Sequence, residues 1–186
     1  MQLLRDPLGL DDPPRGSILS IGNFDGVHLG HQAVLEHVVQ RASARSAPSC
    51  VMTFDPHPVK LLRPAQAALL VTTLEQRLEL IAGTGIQHAL LVPFTHRLAR
   101  MEAADFVRQV LVDRLEVREV YIGNNFRFGA DRRGDVDLLV AMGRELEFDA
   151  GAAPVLSRGG EVVSSTRVRQ AIADGRIDEV TEILGR

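Results

Sequence analysis

Residues 17–46 read SILSIGNFDGVHLGHQAVLEHVVQRASARS, and this stretch decides the fold. The β-branched apolar run Ile18–Ile21 stops at a glycine-rich turn, and a helical pattern starts at about Gly30. Val34, Leu35, Val38, Val39 and Ala42 then recur at the spacing of one helix face. A strand that hands over to a helix through glycines presents unpaired backbone N–H groups at the positive end of the helix dipole, which is an anion site. Two imidazoles, His28 and His31, sit three residues apart at that point in an HxGH element, so both can donate to one phosphate region. The junction predicts nucleotide phosphate chemistry. The plainer reading is a turn with two incidental histidines. A His-x-x-His metal chelate is the weakest reading, because Asp25 alone leaves a tetrahedral set short.

The same alternation continues along the chain. Ser17–Ile21, Ser49–Phe54, His88–Pro93, Glu119–Gly123 and roughly Glu147–Ala150 read as strands, with helices opening near Gly30, Thr73, Glu102, Asp135 and Ser165. Glu102–Leu115 reads as one helix, with Ala103, Phe106, Val107, Val110, Leu111 and Leu115 on one face, and Ile177 to Leu184 as a short last helix. Strands alternating with helices predict an α/β fold, a parallel sheet with helices on both faces. Ligands of such sheets bind beyond the carboxyl ends of the strands. Gly22–His31, Asp55–Pro58, Gly123–Gly134 and Val163–Arg169 fall at such positions and are expected to build one site.

Composition narrows the function. A chain of 186 residues, 45% hydrophobic, can bury the core of one domain. A net charge of −3 argues against nucleic-acid binding by bulk electrostatics. Cys50 is the only cysteine, which excludes an intrachain disulfide and a multi-cysteine zinc site and leaves it as a small core hydrophobe. Met1–Ser17 carries charges and Pro7, Pro13 and Pro14 where a signal peptide needs an apolar run. No stretch approaches the ~20 apolar residues of a membrane span, so a cytoplasmic location is expected. Of 21 Lys and Arg residues only Lys60 is a lysine, so the side-chain cation at any phosphate is Arg or His.

Ser164, Ser165 and Thr166 place hydroxyls at a helix start, with Arg167 and Arg169 close behind, a set suited to phosphate oxygens. Asp55-Pro56-His57-Pro58 is a stiff loop, since each proline restricts itself and its predecessor. Asn124, Asn125, Phe126 and Phe128 combine amides with aromatic faces in a chain only 4% aromatic, which fits a planar, hydrogen-bonding ligand. The helical periodicity of Phe106 assigns it to the core, Asp25 is expected to cap its own loop, and His37, His88 and His96 read as ordinary histidines.

GNFDGVHLGH (residues 22–31) resembles the HxGH nucleotidyltransferase signature of bacterial FAD synthetases, the bifunctional riboflavin kinase/FMN adenylyltransferases. Thr53–Pro58 is similar to that family's TFDPHP loop, Gly123–Gly129 to its GxNFxFG segment, with Gly134-Asp135 following, and Ser164–Arg169 to its SSTxxR motif. The four occur in family order over essentially the whole chain. The resemblance implies a Rossmann-like nucleotidyltransferase fold and a single FMN adenylyltransferase domain over residues 1–186. It implies AMP transfer from ATP to FMN, giving FAD and pyrophosphate, with Mg²⁺ accompanying ATP. On this reading His28 and His31 are the transition-state donors. Gly22, Phe24, Gly30, Ser164, Ser165, Thr166, Arg167 and Arg169 meet ATP, and Pro56, His57, Pro58, Asn125, Phe126 and Phe128 meet the flavin. Metal ligands and oligomeric state are not implied. Two departures stand out. The GxPTAN-type motif of the riboflavin kinase module is missing, so kinase activity is not expected, and Val162 occupies a position that is basic in many relatives, which shifts the triphosphate to Arg167 and Arg169. The alternatives are another HxGH nucleotidyltransferase, or a non-catalytic flavin or nucleotide carrier.

Overall fold

The computed structural model of the chain describes residues 1–66, 69–158 and 160–186, Gln66 without its side chain. Its elements begin with β1 (Gln2–Arg5), β2 (Ile18–Ile21), α1 (Leu29–Arg45), β3 (Ser49–Asp55), α2 (Pro58–Leu62), α3 (Leu74–Ala82), β4 (His88–Pro93) and α4 (His96–Ala99). They continue with α5 (Ala103–Asp105), β5 (Glu119–Ile122), α6 (Val136–Glu145), β6 (Asp149–Ala152), β7 (Ser157–Arg158), β8 (Glu161–Val162), α7 (Ser165–Ala173) and α8 (Ile177–Leu184).

The first six strands by position form one sheet in the order β1-β4-β3-β2-β5-β6, every neighbouring pair parallel. β7 and β8 make a separate antiparallel ribbon. Side chains alternate across the sheet. Leu19, Ile21, Met52, Phe54, Val120 and Ile122 join a core with Val107, Leu111 and Leu139 on one face. Ile18, Val51 and Ala89 join another with Leu35, Val38 and Ile81 on the opposite face. Helices therefore cover both faces of a parallel sheet, the Rossmann-like arrangement the alternating pattern predicts.

The chain runs from β2 outward through β3 and β4, then returns to the far side of β2 as β5. Loops leaving β2 and β5 diverge at this switch point, which opens a crevice above the carboxyl ends of the central strands. At the opposite end Glu119 is buried, and Arg41 (2.7 Å), Arg45 (2.8 Å) and the Tyr121 hydroxyl (2.8 Å) bind its carboxylate, pinning α1 to β5. Burial alone would raise that carboxyl, but the hydrogen bonds from Arg41 and Tyr121 outweigh it and hold it below the usual carboxylate range.

The sequence reading needs three corrections. Glu102–Leu115 is not one α-helix: α5 gives way at Phe106 to π-helical turns over Phe106–Val112, with Asp113 N–H bonding Arg108 O (2.8 Å) and Leu115 N–H bonding Val110 O (3.1 Å). The wider turn still buries Phe106, Val107, Val110 and Leu111, so apolar spacing does not report it. The strand read at Glu147–Ala150 lies at Asp149–Ala152, because Glu147 takes φ +63 in the turn after α6. β1, absent from the sequence reading, is an edge strand paired only to β4.

Candidate active site

Beyond Ile21 the backbone enters the left-handed region at Phe24 (φ +51), Gly26 (φ +81) and Val27 (φ +38). Only Gly26 adopts it freely. For Phe24 and Val27 the cost is about 1–3 kcal/mol each, so surrounding structure must hold them. Both side chains are fully buried, and the loop is tied down by Asp25. The Asp25 carboxylate, 3% exposed, accepts from Val71 N–H (2.9 Å), Thr72 N–H (3.2 Å) and Thr72 Oγ1 (3.4 Å), and pairs with Arg169 Nη2 (3.1 Å). Thr72 Oγ1 in turn accepts from Gly26 N–H (3.1 Å). Asp25 therefore caps its loop, with partners 46 and 144 residues away. A Cβ at Gly22 would lie 3.0 Å from the Phe24 ring, so a side chain there would press on that ring.

His28 is the N-cap of α1, its Nδ1 accepting the His31 N–H (3.2 Å). The two imidazoles stack with centroids 3.6 Å apart and planes 16° from parallel, and the Phe24 ring meets His31 edge-on at 5.1 Å. Burial pushes His28 down to about 4, and burial together with the neighbouring His28 holds His31 well below its usual value. Both rings are neutral at pH 7. In neutral His28 an accepting Nδ1 leaves the proton on Nε2, so this ring offers an N–H outward. Gly30 keeps the pair accessible to each other, since its Cβ would sit 3.2 Å from His28 Nδ1.

The start of α7 completes the same cavity, of about 390 Å³. Ser164 caps α7 through Arg167 N–H (3.2 Å), and Ser165 Oγ donates to Asp25 O (2.8 Å), locking α7 to the β2–α1 loop. Gly22, Phe24, Gly30, Ser164, Ser165, Thr166 and Arg169 all line this cavity beside His28 and His31. Two helix N-termini thus share one space, an arrangement that favours anions. Arg167 stands apart: its guanidinium binds Glu179 (2.7 Å), Glu161 (3.2 Å) and the carbonyls of Arg158 and Glu161, outside the lining.

A second cavity, of about 710 Å³, opens on the other side of Asn125 and Phe126. Five of the seven phenylalanines line it: Phe54, Phe94, Phe106, Phe126 and Phe128. Phe106 and Phe128 lie 5.7 Å apart, and Phe54 and Phe94 meet edge-on at 5.7 Å. Pro58, Asn125, Phe126 and Phe128 reach this cavity as the sequence reading places them together. His57 faces the smaller cavity instead, capping α2 through Val59 N–H (3.2 Å), with burial lowering its pKa. Pro56 lines neither cavity.

Sequence reasoning missed four contributors. Asn23 borders both cavities, and nothing in its local pattern signals that. Phe54 and Phe94 extend the aromatic wall from strand ends that read as core. Arg77 is buried beneath the site and donates to Asn23 O (2.8 Å) and Phe54 O (3.2 Å). Its signal was available, since it sits four residues before buried Ile81 on the inner face of α3. Cys50 is buried with its thiol pushed up to about 12, as a core hydrophobe should be. Among the described residues no three His, Cys, Asp or Glu side chains cluster to hold a metal ion, and none of the helices is long and apolar enough to cross a membrane.

Comparison with known proteins agrees with this architecture. The Escherichia coli (strain K12) bifunctional riboflavin kinase/FMN adenylyltransferase is 39% identical over 186 residues, covering 100% of this chain and 59% of that protein. A putative bifunctional riboflavin kinase/FMN adenylyltransferase of Geobacillus thermodenitrificans is 37% identical, covering 91% of this chain and 90% of the relative. The chain thus spans 59% of the length of the Escherichia coli relative. A solved Streptococcus pneumoniae protein, described as a macrolide-efflux protein, superposes with a TM-score of 0.85 at 24% identity over 100% of this chain and 60% of that one, a likeness of fold. The profile of the FAD synthetase family matches residues 11–167, and the chain belongs to that family.

Proposed function

We propose that residues 1–186 form one FMN adenylyltransferase unit, which joins ATP and FMN to give FAD and pyrophosphate. The observation that carries this reading is the pair of adjoining cavities, one beneath two helix N-termini and one aromatic, which meet at Asn23, Asn125 and Phe126. The volumes, about 390 and 710 Å³, fall in the range of small-molecule sites. A flavin ring takes the aromatic cavity, and the nucleotide takes the one beneath the two helix N-termini. An FMN phosphate oxygen then forms a bond to the α-phosphorus of ATP in line, and the bond from that phosphorus to the bridging oxygen breaks, releasing pyrophosphate.

The chain supplies no covalent nucleophile for this step, so its contribution is positioning and charge stabilisation. The neutral His28 and His31 rings donate to the α-phosphate oxygens as charge concentrates there, in the manner of an oxyanion hole. N–H groups at the start of α7 hold the departing pyrophosphate. Arg169 is available to join them, because Asp25 keeps three other donors when that pair opens. Arg167 braces α7 from outside. Asp25 is fully engaged within the protein, so Mg²⁺ would be held by the nucleotide's own phosphates, where it would offset their charge. No residue here is assigned to riboflavin phosphorylation, and a cytoplasmic setting suits both substrates.

Incubation with ATP, Mg²⁺ and FMN, followed by chromatography, tests the proposal. FAD formation with stoichiometric pyrophosphate is expected. FMN binding without FAD would leave a flavin carrier, and preferential adenylylation of another phosphate acceptor would move the chain to a different nucleotidyltransferase activity.

A further inference from the structure

We propose that the Asn23 side-chain amide binds the hydroxylated chain linking the flavin ring to its phosphate, and so sets the reach of that phosphate toward the histidines. The inference rests on the adenylyl-transfer reading. Asn23, Ile21, Asn125 and Phe126 line both cavities and form the passage between them. ATP has no part that must cross this passage. FMN does: with its ring among the phenylalanines and its phosphate beside His28 and His31, the segment crossing is the ribityl chain, which carries O–H donors.

Asn23 is prepared for such a donor. Its carbonyl accepts from Arg77 Nη1 and Thr53 Oγ1 (2.8 and 3.3 Å), and the N–H of the preceding Gly22 bonds Met52 O (3.1 Å), which fixes the backbone here. Its side chain is not used for this. Oδ1 is shielded from solvent and, among the described residues, has no hydrogen-bond partner. A shielded amide oxygen left unpaired is costly, and native structures keep such an atom where something else satisfies it. The amide lies at the one place where a polyol must pass, and a fixed backbone with an unpaired side-chain acceptor is a preorganised contact. A site built to pair a substrate hydroxyl also rejects an analogue lacking it.

The test compares FMN with a flavin 5′-phosphate whose five-carbon chain carries no hydroxyls, using the wild-type chain and the variants Asn23→Ala and Asn23→Leu. Thermal melting identifies which variants are folded, and either suffices. In the wild type, kcat/KM for FMN should exceed that for the dehydroxylated flavin by about tenfold or more, the worth of one well-made hydrogen bond. In the variants FMN should lose about tenfold while the dehydroxylated flavin changes by less than about twofold, with KM for ATP unmoved. Variants that keep the wild-type ratio, or lose equally on both flavins, overturn the assignment. If the wild type makes no FAD, the adenylyl-transfer reading falls separately. Dissociation constants for the two flavins from fluorescence quenching, judged by the same ratios, then decide Asn23.

Discussion

His28 carries two roles that substitution can separate. Its Nδ1 caps the 17-residue helix α1 through the His31 N–H at 3.2 Å, and its Nε2–H is the outward donor of a neutral ring stacked 3.6 Å from His31. His28→Asn retains a cap, since asparagine is among the best N-cap residues, but removes the ring and the donor. His28→Ala removes all three. The missing cap should cost the alanine variant about 1 kcal/mol, a fall in Tm of roughly 2–4 °C for a chain of this size, and the asparagine variant should melt closer to wild type. Both should lose about 10²–10³ in kcat, the worth of one donor at developing phosphate charge. FAD formation by chromatography gives the rates and differential scanning calorimetry the stabilities. An asparagine variant that turns over within about threefold of wild type would show that His28 is a helix cap only, and would refute the donor role.

Three other outcomes follow from the same geometry. His28 lies at about 4 in the folded chain against an ordinary 6.5, so the unfolded chain binds more protons between those values. The stability from this residue is complete above about pH 6.5 and falls as pH drops toward 4, by about 3 kcal/mol in all, with buried His31 acting in the same direction. Equal urea midpoints at pH 7 and 4.5 would contradict this. Arg169→Gln leaves Asp25 with its bonds from Val71 and Thr72, so the fold should persist while KM for ATP rises about tenfold; an unchanged KM would confine Arg169 to the ion pair. Gly134→Ala sets a Cβ 2.6 Å from the Phe128 ring and 2.8 Å from Ala103 Cβ. Relief of that contact drives Phe128 toward the larger cavity, so KM for FMN should rise more than KM for ATP, with about 1–3 kcal/mol of stability lost to overpacking.

Much of this architecture is legible because its signals are local. β2, β3 and β4 show continuous apolar runs, and helix starts carry their own caps: Thr73 with Gln76, Asp135, and Ser164. The smaller cavity is legible for the same reason, since its walls include the first turns of α1 and α7. What stayed hidden is nonlocal. Asp25 finds its partners at Val71, Thr72 and Arg169 only after folding, and Arg169 as a phosphate ligand and Arg169 as an ion-pair partner look identical in sequence. Arg167 is drawn from the site by Glu179, a residue of the following helix. β1 offers only Leu3 and Leu4 between polar ends, with no β-branched residue, and it is held by pairing to the β4 edge. The π-helical turns keep the same apolar positions buried as an α-helix would, so periodicity cannot tell them apart.

The central claim is transfer of the adenylyl group to a flavin phosphate across the boundary between the two cavities. The most direct measurement incubates the chain with FMN, Mg²⁺ and ATP labelled in separate reactions at the α- or the γ-phosphorus. Adenylyl transfer puts the α-label in FAD, one for each FAD formed, and the γ-label in pyrophosphate alone. Absence of α-label from FAD, with the nucleotide released as ADP or AMP instead, would contradict it.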